Sequence, residues 1–187
     1  MIVVADKVFE SITVSSANFV DREFYECTFK NCDLSNLNLS NAKFFNTTFI
    51  DCNLANTNLS SAQIRDCQFK ACKLICIGIS RANFAFAANF YECDLQYAEF
   101  MDLNLKKIIL EQCHCKGIRF MSCNLRNARF TGCSFGEAIF SNCDLQEAAF
   151  TNAYHLIIDP SANKIKKTTI DLETAANIAS QFGFTVN

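Results

Sequence analysis

Large apolar residues recur at every fifth position along most of this chain. Between Cys123 and Phe150 they are Leu125, Phe130, Phe135, Phe140, Leu145 and Phe150. Two residues before each stands a small one: Cys123, Ala128, Cys133, Ala138, Cys143 and Ala148. A period of five matches neither the 3.6 residues of a helix nor the alternation of a simple strand. Upstream the register runs from Phe9 and Val14 to Ile79 and Phe84, slips by one residue at Ala85–Phe86–Ala87, and resumes at Phe90. It has 29 centres, of which only Cys115 is not a large hydrophobe, and 21 of the 29 preceding small positions hold Ala, Cys or Thr. Composition alone does not produce such a register, so it takes precedence over local propensity.

A longer period lies within the first. Phe9, Phe29, Phe49 and Phe69 repeat at spacing 20, as do Leu34, Leu54 and Leu74, and Phe100, Phe120 and Phe140. Four fives make one lap, so the pattern predicts a four-sided coil whose laps stack at the strand spacing of about 4.8 Å. The bulky residue fills the interior and the small one fits beside it near a corner. The other three positions, rich in Asn, Asp, Ser, Lys and Gln, face water and suit turns. About seven laps give a rod of about 34 Å. Lys7 and Arg22 stand at small positions, where their side chains must reach outward.

Fives such as CDLSN, CNLAN, TNLSS, CDLQY, CNLRN and CDLQE resemble those of the pentapeptide-repeat family over about residues 7–152. The resemblance implies an all-β, right-handed quadrilateral parallel β-helix. Residues 1–152 form the solenoid, in two blocks divided at 85–87, and residues 153–187 form a C-terminal cap and dimerisation segment. The slip resembles the discontinuity between the halves of the quinolone-resistance (Qnr) and microcin-immunity members. Phe86 is expected to turn toward solvent there, as a partner contact or as a tolerated bulge. The long projecting loops of many Qnr proteins have no counterpart.

From Thr151 the five-residue register stops. Tyr154–Pro160 reads as an extended apolar piece and Ser161–Thr169 as a polar surface turn. Asp171 can N-cap a short α-helix from Leu172 to about Phe182, with Ala175, Ile178, Ala179 and Phe182 on one face and Gly183 as the stop. This tail covers the open edge of the last lap. Its sequences IDPSANKI and TAANIASQFGFTV are similar to the ends of the microcin-immunity and Qnr proteins. That likeness implies a symmetric homodimer, with Ile178, Ala179, Phe182 and Phe184 as candidate interface; the alternative is a local cap on a monomer.

Charge and chemistry narrow the function classes. The net charge of -2 offers no general attraction to nucleic acid or acidic lipid, so no direct nucleic-acid or membrane partner is expected. No apolar run reaches transmembrane length, and Met1–Ile12 lacks the basic start and cleavage site of a signal peptide. Of twelve cysteines, ten occupy the small position. Cys32, Cys52 and Cys72 share one face, as do Cys93, Cys113 and Cys133. They read as a disulfide ladder, as a metal site, or as small hydrophobes interchangeable with Ala. The last reading implies a reducing, cytoplasmic setting. Cys113 and Cys115 flank His114, but alternation sends the imidazole outward and both thiols inward. Neither His114 nor His155 has a nucleophile at a known motif spacing, no Gly-rich phosphate loop occurs, and a filled coil leaves no pocket. No cofactor, metal or catalytic residue is therefore expected.

The Qnr resemblance implies a non-catalytic protein that binds DNA gyrase or topoisomerase IV and shields it from quinolones or peptide toxins, as a rod resembling DNA. Residues 1–84 carry 8 acids and 8 bases, residues 85–150 carry 8 and 6, and the tail 3 and 3. The candidate acidic partner surface is Glu92, Asp94, Glu99 and Asp102. The alternatives are an interaction scaffold with another partner and a cysteine-based redox or metal protein.

Overall fold

The computed structural model describes residues 2–12, 19, 22–59, 61–80 and 86–186. The chain winds as a quadrilateral parallel β-solenoid of about eight turns, closed by one short helix, Leu172–Gln181. We name its sides after one interior residue of an early lap: Phe29, Leu34, Leu39 and Phe44.

The Phe29 side is a parallel ladder along the rod, pairing Phe9, Phe29, Phe49, Phe69, Phe90, Leu110 and Phe130 in turn and, at the far end, Phe150 with Ile170. The Leu34 side is held by single bridges, from Asp33↔Asn53 to Ser134↔Tyr154. The other two sides exchange character along the rod. The Phe44 side begins as strands Ile2–Ala5, Arg22–Tyr25 and Lys43–Phe45, and later narrows to the bridges Asn104↔Asn124↔Asp144↔Lys164. The Leu39 side begins as the bridge Asn38↔Asn58 and becomes strands Gly78–Ser80, Glu99–Met101, Arg119–Met121 and Ile139–Ser141.

Each corner turns on one residue with positive φ, two places after the interior residue. Asn31, Asn36, Asn41 and Asn46 take φ of 52°, 57°, 61° and 49°. Asparagine tolerates this left-handed region better than most residues, which explains its frequency in the fives. At Gly117 (φ 65°) a second constraint applies, because an added Cβ would stand 2.6 Å from the ring of Tyr97 one lap below.

The bore is solid. Phe9, Phe29, Phe49, Phe69 and Phe90 stack with ring centroids 4.7, 5.0, 4.7 and 5.2 Å apart. Phe100, Phe120 and Phe140 repeat this on the Leu39 side at 5.1 and 5.2 Å. Rings from neighbouring sides meet edge to face, as Phe44 meets Phe49 at 5.3 Å. Offset stacks and T-shaped pairs both suit the aromatic quadrupole, so one packing scheme serves along and across the rod.

The slip differs from expectation in one respect. Across it the pairing step lengthens to 21 residues, as in Phe69↔Phe90 and Lys73↔Asp94, and locally to 22 in Ile64↔Phe86. Phe86 is therefore not turned to solvent: it is buried above Ile64, with its ring 5.9 Å from that of Phe100. Burying a phenylalanine is worth about 1.5–3 kcal/mol, so the chain spends the extra residue on bringing the ring inside. Val14, Phe84 and Ala85 lie outside the described residues.

The lap continues past the end of the repeat. Asn142 donates its N–H to Ala162, Leu145 to Lys164 and Glu147 to Lys166, and Thr169–Ile170 pairs with Ala149–Phe150. The polar stretch after Pro160 is thus wound as a further lap rather than left as a surface turn. The helix follows; no helix among the described residues is long and apolar enough to cross a membrane.

Candidate functional site

The C-terminal helix lies against the last lap through Thr174, which is buried and donates its hydroxyl to the Ala153 carbonyl at 3.4 Å. Ile178 is half-buried and lines a shallow apolar cleft with Ile158, Pro160, Ile165 and Ile170. Asp171 stands at the N-cap position, but its carboxylate accepts the Asn152 N–H instead of capping the helix, which ties the helix start to the lap below. At the other end Gly183 takes φ 84°, with Gly183 N–H on Ser180 and Phe184 N–H on Ala179, both at 3.1 Å. These two bonds form a Schellman motif.

Of the four candidate interface residues, Ile178 and Ala179 are half-buried and Phe182 and Phe184 are exposed. Sequence reasoning missed Leu172, 87% exposed at the helix start, and Val186 beyond its end. Leu172 stands three residues before Ala175 and seven before Ala179, so helical spacing could have placed it at the edge of the same face. The acidic candidates are not one patch. Glu92 and Asp94 flank the corner between the Phe29 and Leu34 sides, whereas Glu99 and Asp102 lie on and beyond the Leu39 side. Glu99 is paired with Arg119 at 3.0 Å and Asp94 approaches His114 at 3.9 Å.

The cysteines form longer columns than spacing alone indicated. Because Lys73 pairs with Asp94 across the slip, Cys72 and Cys93 lie one above the other. Cys32, Cys52, Cys72, Cys93, Cys113 and Cys133 therefore make one corner column, every member buried and free. Their thiols have work there. Cys52 donates to the carbonyls of Phe29 and Ile50 at 3.4 and 3.3 Å, and Cys67 to those of Phe44 and Arg65 at 3.4 Å. Thr47 does the same with its hydroxyl, to Phe24 and Phe45. Cys and Thr are thus alternative small fillers for a slot that presents carbonyl oxygens. Only Cys76 is exposed.

For Cys67, Cys93 and Cys113 this environment opposes thiolate formation. Burial pushes the Cys67 thiol up to about 12. For Cys93 and Cys113 the hydrogen bond to the next thiol along the column, followed by burial, pushes each up to about 12. Such groups are not activated nucleophiles. Unfolded thiols ionise near pH 8.5, so between there and pH 12 the unfolded chain sheds protons that the native chain keeps. Stability is then full below about pH 8.5 and falls as pH rises. Thermal melts are expected to show a declining midpoint from pH 9 to 11, less steep in Cys67→Ala; a midpoint constant from pH 8 to 11 contradicts this.

The slip opens a surface cleft of about 330 Å³, lined by Asp66, Gln68, Ala87, Asn89, Asn104 and Lys107. Among the described residues it presents carboxylate, amide and ammonium groups, with the buried Cys67 at its floor.

No curated protein sequence matches the chain. Among solved structures, a trypsin-treated form of QnrB1, described as a plasmid-mediated fluoroquinolone resistance protein, is 19% identical, with 99% of each chain covered and a TM-score of 0.44. HetL from the cyanobacterium Nostoc sp., described as a pentapeptide repeat protein involved in heterocyst differentiation regulation, is 15% identical, with 89% of this chain and 84% of its own covered and a TM-score of 0.41. The model of the pentapeptide repeat region matches residues 22–88 and 85–154. On a twenty-residue lap with a left-handed residue at each corner, a match of that extent makes the chain a member of the pentapeptide-repeat family.

Proposed function

We propose that this chain is a non-catalytic, rod-shaped binding protein of the cytoplasm that associates as a homodimer through its C-terminal segment and protects a type II DNA topoisomerase. The observation that carries the binding role is the division of the molecule. Its interior is filled by phenylalanine stacks, while Leu172 at the start of the C-terminal helix and Phe182, Phe184 and Val186 at and beyond its end are exposed. Large apolar residues left exposed in one terminal segment mark an interaction surface. Support for the topoisomerase comes from the tail, where Ile158–Ile165 and Thr174–Val186 are similar to the ends of the Qnr and microcin-immunity proteins. The eleven buried free thiols support a reducing compartment.

A second reading, an interaction scaffold for a different partner, is favoured by the ion pair of Glu99 with Arg119, which offsets one of the four carboxylates of the candidate acidic surface. HetL, with its part in differentiation, belongs to the same family and has a different described role. A gyrase supercoiling assay separates the two. Protection predicts that added protein raises the fluoroquinolone concentration needed for half-inhibition, in proportion to the protein present. An unchanged half-inhibition at every protein concentration, for gyrase and for topoisomerase IV, removes the topoisomerase from the proposal and leaves the scaffold.

A further inference from the structure

The net charge of -2 conceals a segregation of charge between sides. Four successive laps of the Phe44 side stack in register, through Asn104, Asn124, Asp144 and Lys164. The outward column beside these residues reads Lys106, Arg126, Gln146 and Lys166, with Lys107 bonding to Arg126 and Glu147 to Lys166 through the backbone. The next column, at the corner, reads Lys107, Asn127, Glu147 and Lys167, and Arg129 lies just around it. This area carries seven cations and two carboxylates, a local charge of +5, so the rest of the chain carries -7. With Asp66 and Asp102 at its lower border counted, it remains at +3.

Elsewhere Lys30, Lys43, Lys116 and Arg119 each meet a carboxylate from an adjacent lap, while Lys7, Arg22, Arg65, Lys70 and Lys73 form no ion pair among the described residues. On this side only Arg126 meets a carboxylate, that of Asp144 at 3.4 Å. Lys106, Lys107, Arg129, Lys164, Lys166 and Lys167 are exposed and form no ion pair among the described residues. Amides of Asn104, Asn124 and Gln146 stand between them. Of the large hydrophobics exposed in the structure, only Ile165 belongs to these laps of the side. A protein partner is ordinarily anchored by apolar and aromatic contacts at the centre of the interface, which this side lacks. Stacking platforms for unpaired bases are absent from it as well.

From this distribution we infer that the later laps of the Phe44 side form an electrostatic docking surface for the phosphate backbone of duplex nucleic acid. Lys106 and Lys166 are three laps apart, about 14 Å, so the columns present cations along a length that meets several successive phosphates. Amides donate to phosphate oxygens between them. Binding is independent of base sequence and governed by counterion release. It does not require the topoisomerase reading.

Fluorescence anisotropy of a labelled 20-base-pair DNA duplex with the full chain tests this. At about 150 mM salt the dissociation constant is expected in the range of about 1–100 μM, with affinity falling about a thousand-fold between 50 and 200 mM. The variant Lys106→Glu/Lys166→Glu/Lys167→Glu is expected to bind at least 30-fold more weakly with an unchanged melting midpoint. Lys70→Glu/Lys73→Glu, on other sides of the rod, is expected to change binding less than three-fold. The inference is overturned by absence of binding at 50 mM salt, by equal losses in the two variants, or by a salt-independent affinity. It is also overturned if a polyglutamate peptide binds more tightly than the duplex, which identifies an acidic protein surface as the occupant. The wild-type salt dependence decides the question even if the triple variant fails to fold.

Discussion

Phe130→Ala is expected to lower the free energy of unfolding by about 3–5 kcal/mol, the range for emptying a phenylalanine site in a packed core. Phe130 is fully buried and touches four other rings. It stacks on Phe150 at 4.6 Å and meets Phe135, Phe120 and Phe140 at 5.7, 6.1 and 6.2 Å. The cost belongs at the high end because the walls cannot close on the void. Each lap is fixed to its neighbours by the backbone ladder, so Leu110 below and Phe150 above keep their heights. Urea denaturation of wild type and variant measures the difference; a loss under about 1 kcal/mol means that the bore is loosely filled.

Phe182→Asp is expected to convert the proposed dimer to monomers. Phe182 caps the helix, is 54% exposed, and lies beside Phe184, which is 67% exposed. In a two-fold interface one substitution acts twice, and it brings two like charges together where two rings had met. A carboxylate desolvated without a partner costs several kcal/mol, enough to shift association by orders of magnitude. On the isolated protomer the same residue faces water, so the melting midpoint of dilute protein should hardly move. Sedimentation velocity reads the outcome: a wild-type dimer and a variant monomer are expected. A wild type that sediments as a monomer at all concentrations, or a variant that still dimerises, places the interface elsewhere.

Much of this architecture was legible because side-chain size repeats with the geometry. A bulky residue at every fifth place and a matching one at every twentieth require a four-sided lap, and Phe29 does stack on Phe49. The slip was visible as an extra residue, but its consequence was not. Counting fives pushes Phe86 out of register, whereas the energy of burying its ring pulls it in. The same step joins Cys72 to Cys93, which a fixed spacing of 20 keeps apart. The end of the solenoid was obscured for another reason. Ser161 to Thr169 lacks the repeat, yet its backbone completes a lap because the carbonyls and N–H groups of Asn142 to Ala149 offer it an edge. Charge was hidden most thoroughly. Lys106, Lys107, Arg126, Lys164, Lys166 and Lys167 lie up to 61 residues apart in sequence and share a side only once the chain is wound.

The winding itself is open to a direct test by deletion. Removing residues 123–142 takes out one lap of 20 and joins Ser122 to Cys143, whose place in the lap is that of Cys123. The shortened chain is expected to unfold cooperatively, with a β-type circular dichroism spectrum and a rod shorter by about 4.8 Å. Removing 123–140 takes out 18 residues, throws every later side chain out of register, and is expected to abolish cooperative unfolding. Loss of folding in the first deletion, or equal stability in both, contradicts a lap of twenty with a filled bore.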